Sequence, residues 1–315
     1  MSVLFEICLY STYGMIVWWL SCYFRFCPVP IMRVWFTLIF ALTLISLWTS
    51  TLFVHVVLRG SGILSATTSG KLNSLITAIC LKTCLFMCPH IKLIPVNKNV
   101  DKVFASALNE KNILCGFNHT SFFDGFAGLS IAPLWLTWKV RSIYKSSLSN
   151  IPLWGATYKR REDFAVYFTS NDKFTTDREK QDRETERMKQ WVTQEGGTIA
   201  LFPEGQLNKD PFKIQPIRHG MLRFAVEHKL PFYIVVQDGS YRTWPLDAPG
   251  GIGGFPADIF YDVRRFEFEL KDEKSGKVTE ETIEQVALRV QASMQEMVDN
   301  IQEFRKKRYF DKKNQ

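Results

Sequence analysis

Cysteine is missing from most of this chain, and charge is missing from its most apolar stretches. All seven cysteines stand at or before Cys115, so no disulfide framework crosses the remainder, and reduced thiols facing the cytosol fit that distribution. No Gly-x-Ser-x-Gly elbow occurs, which leaves a lipid hydrolase without an identifiable nucleophile, and no His-Glu-x-x-His zinc pattern occurs either. There is no internal repeat. The net charge is +8, yet no groove-reading motif and no interleaving of aromatic and basic residues point to nucleic acid. Finally, Ile7 to Phe24 and Val34 to Val57 contain no Asp, Glu, Lys or Arg.

Each of these uncharged runs is about long enough to cross a bilayer core of ~30 Å at ~1.5 Å per residue. The first has no basic leader and no small-residue cleavage site, so it reads as an uncleaved anchor rather than a signal peptide. Residues 1–58 are therefore expected to form a two-helix membrane anchor. Arg25 and Arg33 lie between the runs, and positive-inside reasoning places that loop on the cytoplasmic side. Two full crossings conflict with a cytoplasmic domain on that rule; a shallow re-entrant hairpin, or a third membrane contact near Leu72 to Met87, removes the conflict. Arg25 and Arg33 against Glu6 give the anchor +1, so +7 sits on the rest, a balance suited to anionic headgroups or phosphate-bearing substrates.

Residues 59–91 read as a connector, rich in Gly, Ser and Thr from Gly60 to Gly70, followed by a membrane-proximal helix that ends at Pro89. Cys80, Cys84 and Cys88 recur along it without paired His or carboxylate ligands and read as small apolar residues on one helix face. Residues 92–315 form the main domain. Strand-like runs at Lys92–Val96, Asn112–Phe117, Leu134–Val140, Thr198–Phe202, Phe232–Val236 and Asp258–Leu270 alternate with helical ones. That alternation predicts an α/β fold with a mixed, largely parallel sheet flanked by helices. Thr176–Gln194, dense in charges of both signs, predicts a solvated helix. Ile283, Val286, Val290, Met294, Met297, Ile301 and Phe304 mark a C-terminal amphipathic helix before a basic tail.

Chemistry concentrates in three segments. In Asn112–Gly125, NILCGFNHTSFFDG, an apolar strand runs into His119 and Asp124. Five residues apart on a helix these would point ~140° apart, so they meet only if the chain turns. Ser121 with Asp124 three residues on is a capping-box pattern and predicts a helix starting at Ser121, with His119 in the preceding loop. A neutral imidazole fixed by a carboxylate suits general-base catalysis; a helix cap beside an idle loop histidine has the same letters. Thr198–Gly205, TIALFPEG, ends a strand in Glu204 and Gly205, where α/β sheets place their sites. Trp154–Arg161, WGATYKRR, sets three cations beside Gly155, a pattern shared by phosphate sites and solvated basic loops.

Together these segments resemble the glycerophospholipid acyltransferase family, whose best-known members acylate lysophosphatidic acid. The resemblance spans roughly Lys92 to Val236. Asn118, His119 and Asp124 match its Asn-His-x4-Asp motif, Gly155, Tyr158 and Arg161 its Gly-x-x-aromatic-x-x-Arg, Phe202 to Gly205 its Phe-Pro-Glu-Gly, and Pro231 a Pro that opens an apolar strand. The resemblance implies His119 as base, Asp124 as its partner, and Asn118, Gly155, Arg161, Glu204 and Gly205 as substrate-binding residues, with Arg161 on the acceptor's phosphate. It implies acyl-CoA as co-substrate, a lysophospholipid acceptor, no bound cofactor and no metal. Gln206 and Leu207 stand where the family usually continues with Thr-Arg, so a phosphate-binding cation is missing there. Lys209, Lys213 or Arg218 could replace it, or the acceptor could carry a larger headgroup. A catalytically silent lipid-binding adaptor on the same fold is the alternative from another class.

Gly250–Gly254 lacks nucleotide-binding spacing and reads as a mobile surface loop or a substrate lid. His55 lies within an apolar run, whereas His90, His219 and His228 show no partner pattern. The tail places Lys312 and Lys313 as in the dilysine retrieval signal of endoplasmic reticulum membrane proteins, which implies a cytosolic tail.

Overall fold

A computed structural model describes residues 3–169, 176–268 and 280–313. Its strands are β1 Ile91–Pro95, β2 Ile113–Phe117, β3 Val140–Lys145, β4 Phe164–Val166, β5 Thr198–Leu201, β6 Phe232–Asp238 and β7 Ala257–Phe266. They form one sheet in the order β1-β7-β6-β2-β5-β3-β4. Neighbours are parallel except β6 and β7, which register Phe232 with Phe266 in the antiparallel sense. A sheet covered on both faces needs apolar residues at consecutive positions, and all seven residues of β6 are buried. The mixed, largely parallel sheet expected from the alternation is the one present.

The helices are α1 Val3–Tyr23, α2 Val29–Phe53, α3 Ala66–Met87, α4 Val100–Ala107, α5 Asp124–Ile131, α6 Leu134–Thr137, α7 Gly155–Arg160, α8 Arg178–Thr193, α9 His219–Glu227, α10 Ser240–Thr243 and α11 Glu280–Lys313. Side chains alternate across a strand. Leu114 and Phe232 therefore point to a core shared with Met188, Trp191, Leu222, Val290, Met294 and Ile301 of α8, α9 and α11, while Ile113, Cys115 and Tyr233 meet Ala132 and Leu136 on the other face. Gly116 leaves room for a ring of the neighbouring strand: a Cβ there would lie 2.8 Å from the Phe232 ring.

Three expectations change. Leu134–Val140 is not a strand; Pro133, whose fixed φ and missing N–H suit a helix start, opens α6, and the strand begins at Val140. The three-residue β4 was too short to show in the pattern. Helix α8 is only partly solvated, since Met188, Trp191 and Val192 are buried. The predicted strand end at Leu270 lies outside the described residues.

Both N-terminal apolar runs are helical. Helix α2 continues through a π-helical turn, Val54–Arg59, and lies along the domain: Arg33 Nη2 donates to the carbonyls of Pro249 and Ile252, and Arg160 Nη1 to that of Trp48. Met32, Phe36 and Leu47 face inward and are buried, whereas Val34, Leu38, Leu42 and Ile45 are exposed. Helix α3 buries small and polar residues, with Asn73 Nδ2 on the Arg160 carbonyl and Ser74 Oγ on that of Val140, and exposes Ile79 and Phe86. Val29–Arg59 and Ala66–Met87 are each long and apolar enough to cross a membrane. Apolar faces turned away from the protein are what a bilayer covers.

Candidate active site

The site begins where β2 leaves the sheet. After Phe117 the Asn118 side chain takes over the pairing: Nδ2 donates 2.8 Å to the Gln237 carbonyl, and the Gln237 N–H donates 2.9 Å to Oδ1. The backbone of residues 119–121 is thereby released from the ladder. Its donors turn to carboxylates. His119 N–H donates 2.9 Å to Glu204 Oε1, and the N–H groups of Thr120 and Ser121 donate to Asp124 Oδ2 at 2.5 and 2.7 Å.

Asp124 is the first residue of α5, so the helix starts three residues after the predicted Ser121. Ser121–Phe123 form a tight turn instead, in which Ser121 Oγ accepts from Phe123 N–H while Asp124 reaches back to the N–H groups of Ser121 and Thr120, so both halves of the capping pattern are present but the turn they close precedes the helix. The carboxylate is fully buried. Such burial is tolerated only with full hydrogen bonding. Besides the two backbone donors, His119 Nδ1 lies 3.0 Å from Oδ2 and Ser240 Oγ donates to Oδ1. A carboxylate at Nδ1 puts the imidazole proton there and leaves Nε2 as the basic nitrogen. Nε2 has no hydrogen-bond partner among the described residues. The His119 side chain keeps 22% of its surface exposed, and its ring stacks on Phe202 at 3.9 Å between centroids, with 12° between planes.

Glu204, 1% exposed, binds the two loops together. Oε1 takes the His119 N–H, while Oε2 accepts from Asn208 Nδ2 at 2.8 Å and Gln215 N–H at 3.0 Å. Asn208 N–H returns 2.6 Å to the His119 carbonyl. Burial raises the Glu204 carboxyl above its ordinary value, and the donations from Gln215, His119 and Asn208 oppose that rise. Gly205 adopts φ +69°, and a Cβ there would lie 2.8 Å from Arg218 Cγ. Gln206, at the position of the absent Thr, pairs its amide with Gln215 at 2.6 Å.

Gly155 and Arg161 form a separate assembly under α7. A Cβ on Gly155 would sit 2.3 Å from the Ser149 carbonyl oxygen, so glycine there permits helix contact with the preceding 3-10 turn. Arg161 is 1% exposed and pairs with Asp163 Oδ1 at 3.4 Å, its Nη2 also donating to Ser142 Oγ at 3.3 Å. Burial pushes the Asp163 carboxyl up, and Arg161 opposes it. Arg141 binds Glu162 beside them at 2.6 Å. The structure thus brings Asn118, His119, Asp124, Glu204 and Gly205 together, and holds Arg161 against a protein carboxylate. A ring contact bridges the assemblies, Phe126 of α5 meeting Trp154 at 5.0 Å, and within the second one Tyr158 stacks on Tyr144 at 4.2 Å.

Sequence reasoning missed Ser240, Gln237 and Asn208. Gly239, at φ +115°, ends β6 and turns Ser240 toward Asp124; an Asp-Gly-Ser at the end of an apolar strand was the available signal. Nor is the glycine-rich loop a free surface loop. Gly253 and Gly254 are buried, the first against Trp244 and the second against Phe36, and the Trp244 carbonyl accepts from Ser121 Oγ at 2.9 Å. Among the described residues no three His, Cys, Asp or Glu side chains are grouped to hold a metal ion.

Comparison with known proteins adds two findings. The acyltransferase family model matches residues 96–237. The solved structure of the 1-acyl-sn-glycerophosphate (LPA) acyltransferase PlsC of Thermotoga maritima matches with a TM-score of 0.53 and 16% identity, over 87% of this chain and 96% of that one. At that identity the likeness is one of fold. A search of curated proteins finds no match.

Proposed function

We propose that this chain, whose residues 96–237 match the acyltransferase family model and whose fold resembles that of PlsC, moves a fatty acyl group from acyl-CoA to the free hydroxyl of a lysophospholipid, first of all 1-acylglycerol-3-phosphate, giving phosphatidic acid. The observation that carries this reading is the imidazole of His119, held at Nδ1 by a buried, fully bonded Asp124 and open at the other nitrogen.

His119 Nε2 takes the proton of the acceptor hydroxyl as its oxygen attacks the thioester carbonyl. The tetrahedral intermediate collapses with loss of the coenzyme A thiolate, which recovers the proton from the imidazolium. Asp124 stabilises the imidazolium and fixes the tautomer. Phe202 and Glu204 hold the ring and its backbone in place. Acyl-CoA is a co-substrate, and the reaction needs no bound cofactor. The bonded state of His119, Asp124 and Glu204 supports an enzyme over a silent adaptor, which has no use for it.

A second acceptor class has an observation of its own. Gln206 and Leu207 supply no cation, and Arg161 is already paired with Asp163. Both favour an acceptor with a larger headgroup, such as lysophosphatidylinositol or lysophosphatidylglycerol. The apolar outer faces of α2 and α3 support attachment to a membrane.

The test is purified full-length protein with radiolabelled acyl-CoA and a panel of lysophospholipids. Diacyl product with lysophosphatidic acid is expected. Product only with inositol- or glycerol-headgroup acceptors selects the second reading, and no product with any acceptor rejects both.

A further inference from the structure

The carboxylate that holds His119 is itself held through the turn after β6. Ser240 Oγ donates to Asp124 Oδ1, and Ser240 is fully buried. Pairing of β6 with β7 ends at Asp238, which registers with Phe260. Gly239 then takes φ +115°, a conformation open to glycine without strain, and brings Ser240 to Asp124. The ladder stops one residue before this turn, and a side chain from another element closes over it.

That side chain is Arg305 of α11. It is the first cation of the basic tail, yet it is buried, with its guanidinium 5.0 Å from the Phe260 ring centroid. Nη1 pairs with Asp238 Oδ2 at 2.6 Å, while Nη2 donates to the carbonyls of Asp238 at 2.9 Å and Asp258 at 3.3 Å. One planar fork thus ties the end of β6 to the start of β7, a task for which a single ammonium lacks the geometry. The Asp258 carboxylate does not compete for it, because Arg25 pairs with one oxygen at 2.5 Å and the Tyr309 hydroxyl donates to the other at 3.3 Å. The fit is close: a Cβ on Gly239 would lie 2.8 Å from Arg305 Nη2 and 2.5 Å from the Asp258 carbonyl oxygen. Burial raises the Asp238 carboxyl above its ordinary value, and Arg305 opposes that rise, with a smaller contribution from Arg242. Helix α11 has no need of a buried charge to dock, since Val290, Met294, Met297 and Ile301 already bury its apolar row against the sheet.

We propose that Arg305 is a positioning residue for the catalytic pair. It fixes the turn at Asp238 and Gly239, the turn seats Ser240 on Asp124 Oδ1, and the carboxylate is thereby set against His119 Nδ1. The bearing of this link on catalysis rests on the acyltransferase reading; the link itself does not.

The N–H groups of Thr120 and Ser121 end on Asp124 Oδ2, so their hydrogen exchange reports the seating of that carboxylate without any turnover. Exchange mass spectrometry of the full chain in detergent should show faster exchange at Thr120 and Ser121 in Arg305→Lys and in Ser240→Ala. The double variant should gain nothing further, because residues that act through one another are not additive, and Val140–Lys145 of β3 should exchange as in the wild type. Initial rates give the second readout. Ser240→Ala removes the whole contact, so Arg305→Lys should lower kcat by no more than roughly tenfold, leave KM for the acceptor unchanged, and lower kcat no further in the Ser240→Ala background. If Arg305→Lys does not fold, Asp238→Asn, which keeps both carbonyl acceptors and weakens the ion pair, should give the same pattern to a smaller degree. The proposal is overturned if Thr120 and Ser121 exchange as in the wild type, if exchange rises evenly across the sheet, or if the two losses of rate multiply. A wild type that forms no product with any acceptor rejects the acyltransferase reading alone, since the exchange result stands without it.

Discussion

Two stretches of chain at the ends of strands in the same sheet each set a carboxylate against a basic side chain. After β2, Asp124 is fully buried while its partner His119 keeps 22% of its side chain open. Between β3 and β4, Arg161 and Asp163 are both closed off, at 1% and 0% of their side-chain surface. An open base can change its protonation during turnover, because substrate reaches it. A closed pair changes only by breaking, which leaves an uncompensated charge in low dielectric. On the proposed function the first stretch serves the chemistry, and the second holds β3, β4 and α7 together.

The sharpest way to break this comparison is to remove one member of each pair. His119→Ala should lower kcat by about 10²–10⁴, the range of general-base catalysis, while unfolding of the purified protein changes little. Initial rates with acyl-CoA and the best acceptor, beside a thermal melt, decide it; unchanged turnover would reject the mechanism. Arg161→Ala should do the reverse and cost about 3–5 kcal/mol of stability, since Asp163 would be left buried without its cation. Denaturant unfolding in detergent measures that. A variant that melts like the wild type but shows a raised KM for lysophosphatidic acid would instead give the arginine to the substrate's phosphate, and the contrast between the two stretches would fail.

The same contrast separates what the sequence carried from what it withheld. His119 and Asp124 were legible because a strand, a turn and a helix leave local marks, and the turn that brings them together spans only six residues. Even there the start of α5 was misplaced, because the reciprocal Ser121 and Asp124 bonds close a turn over Ser121–Phe123 and the helix begins only at Asp124. The environment of Arg161 was not legible. Whether three consecutive cations face a ligand or a buried acid depends on β3 supplying Ser142 and Arg141 from twenty residues away. Ser240 is further still, placed by β6 pairing beside β2. The packed state of Gly254 depends on Phe36 of α2, which composition marked as membrane anchor rather than as a wall against the domain.

A second imidazole extends the comparison. His90 has no carboxylate partner and no exposed surface, and burial, only partly offset by the Gly254 backbone, pushes it down to about 4 from 6.5. The unfolded chain then binds a proton that the folded chain refuses, so stability is intact above pH 6.5 and lost as pH falls toward 4. The loss is about 3 kcal/mol from a shift of this size. Melting temperature followed from pH 7 to 4 should fall less steeply in His90→Gln than in the wild type; parallel curves would remove His90 as the cause.

The smallest effect is expected at Ser240, which touches Asp124 and not the substrate. Its hydroxyl satisfies the oxygen of the buried carboxylate that His119 does not use, so Ser240→Ala leaves one acceptor without a donor. Loss of a hydrogen bond to a charged group costs about 1.5 kcal/mol, and a loss of that order in transition-state stabilisation is roughly tenfold in rate. A positioning residue of this kind should lower kcat with KM for the acceptor unchanged, because the imidazolium that Asp124 stabilises forms only as the hydroxyl attacks. A fall in kcat/KM carried by KM alone would place Ser240 in acceptor binding, and the open stretch after β2 would then have to be redrawn to include it.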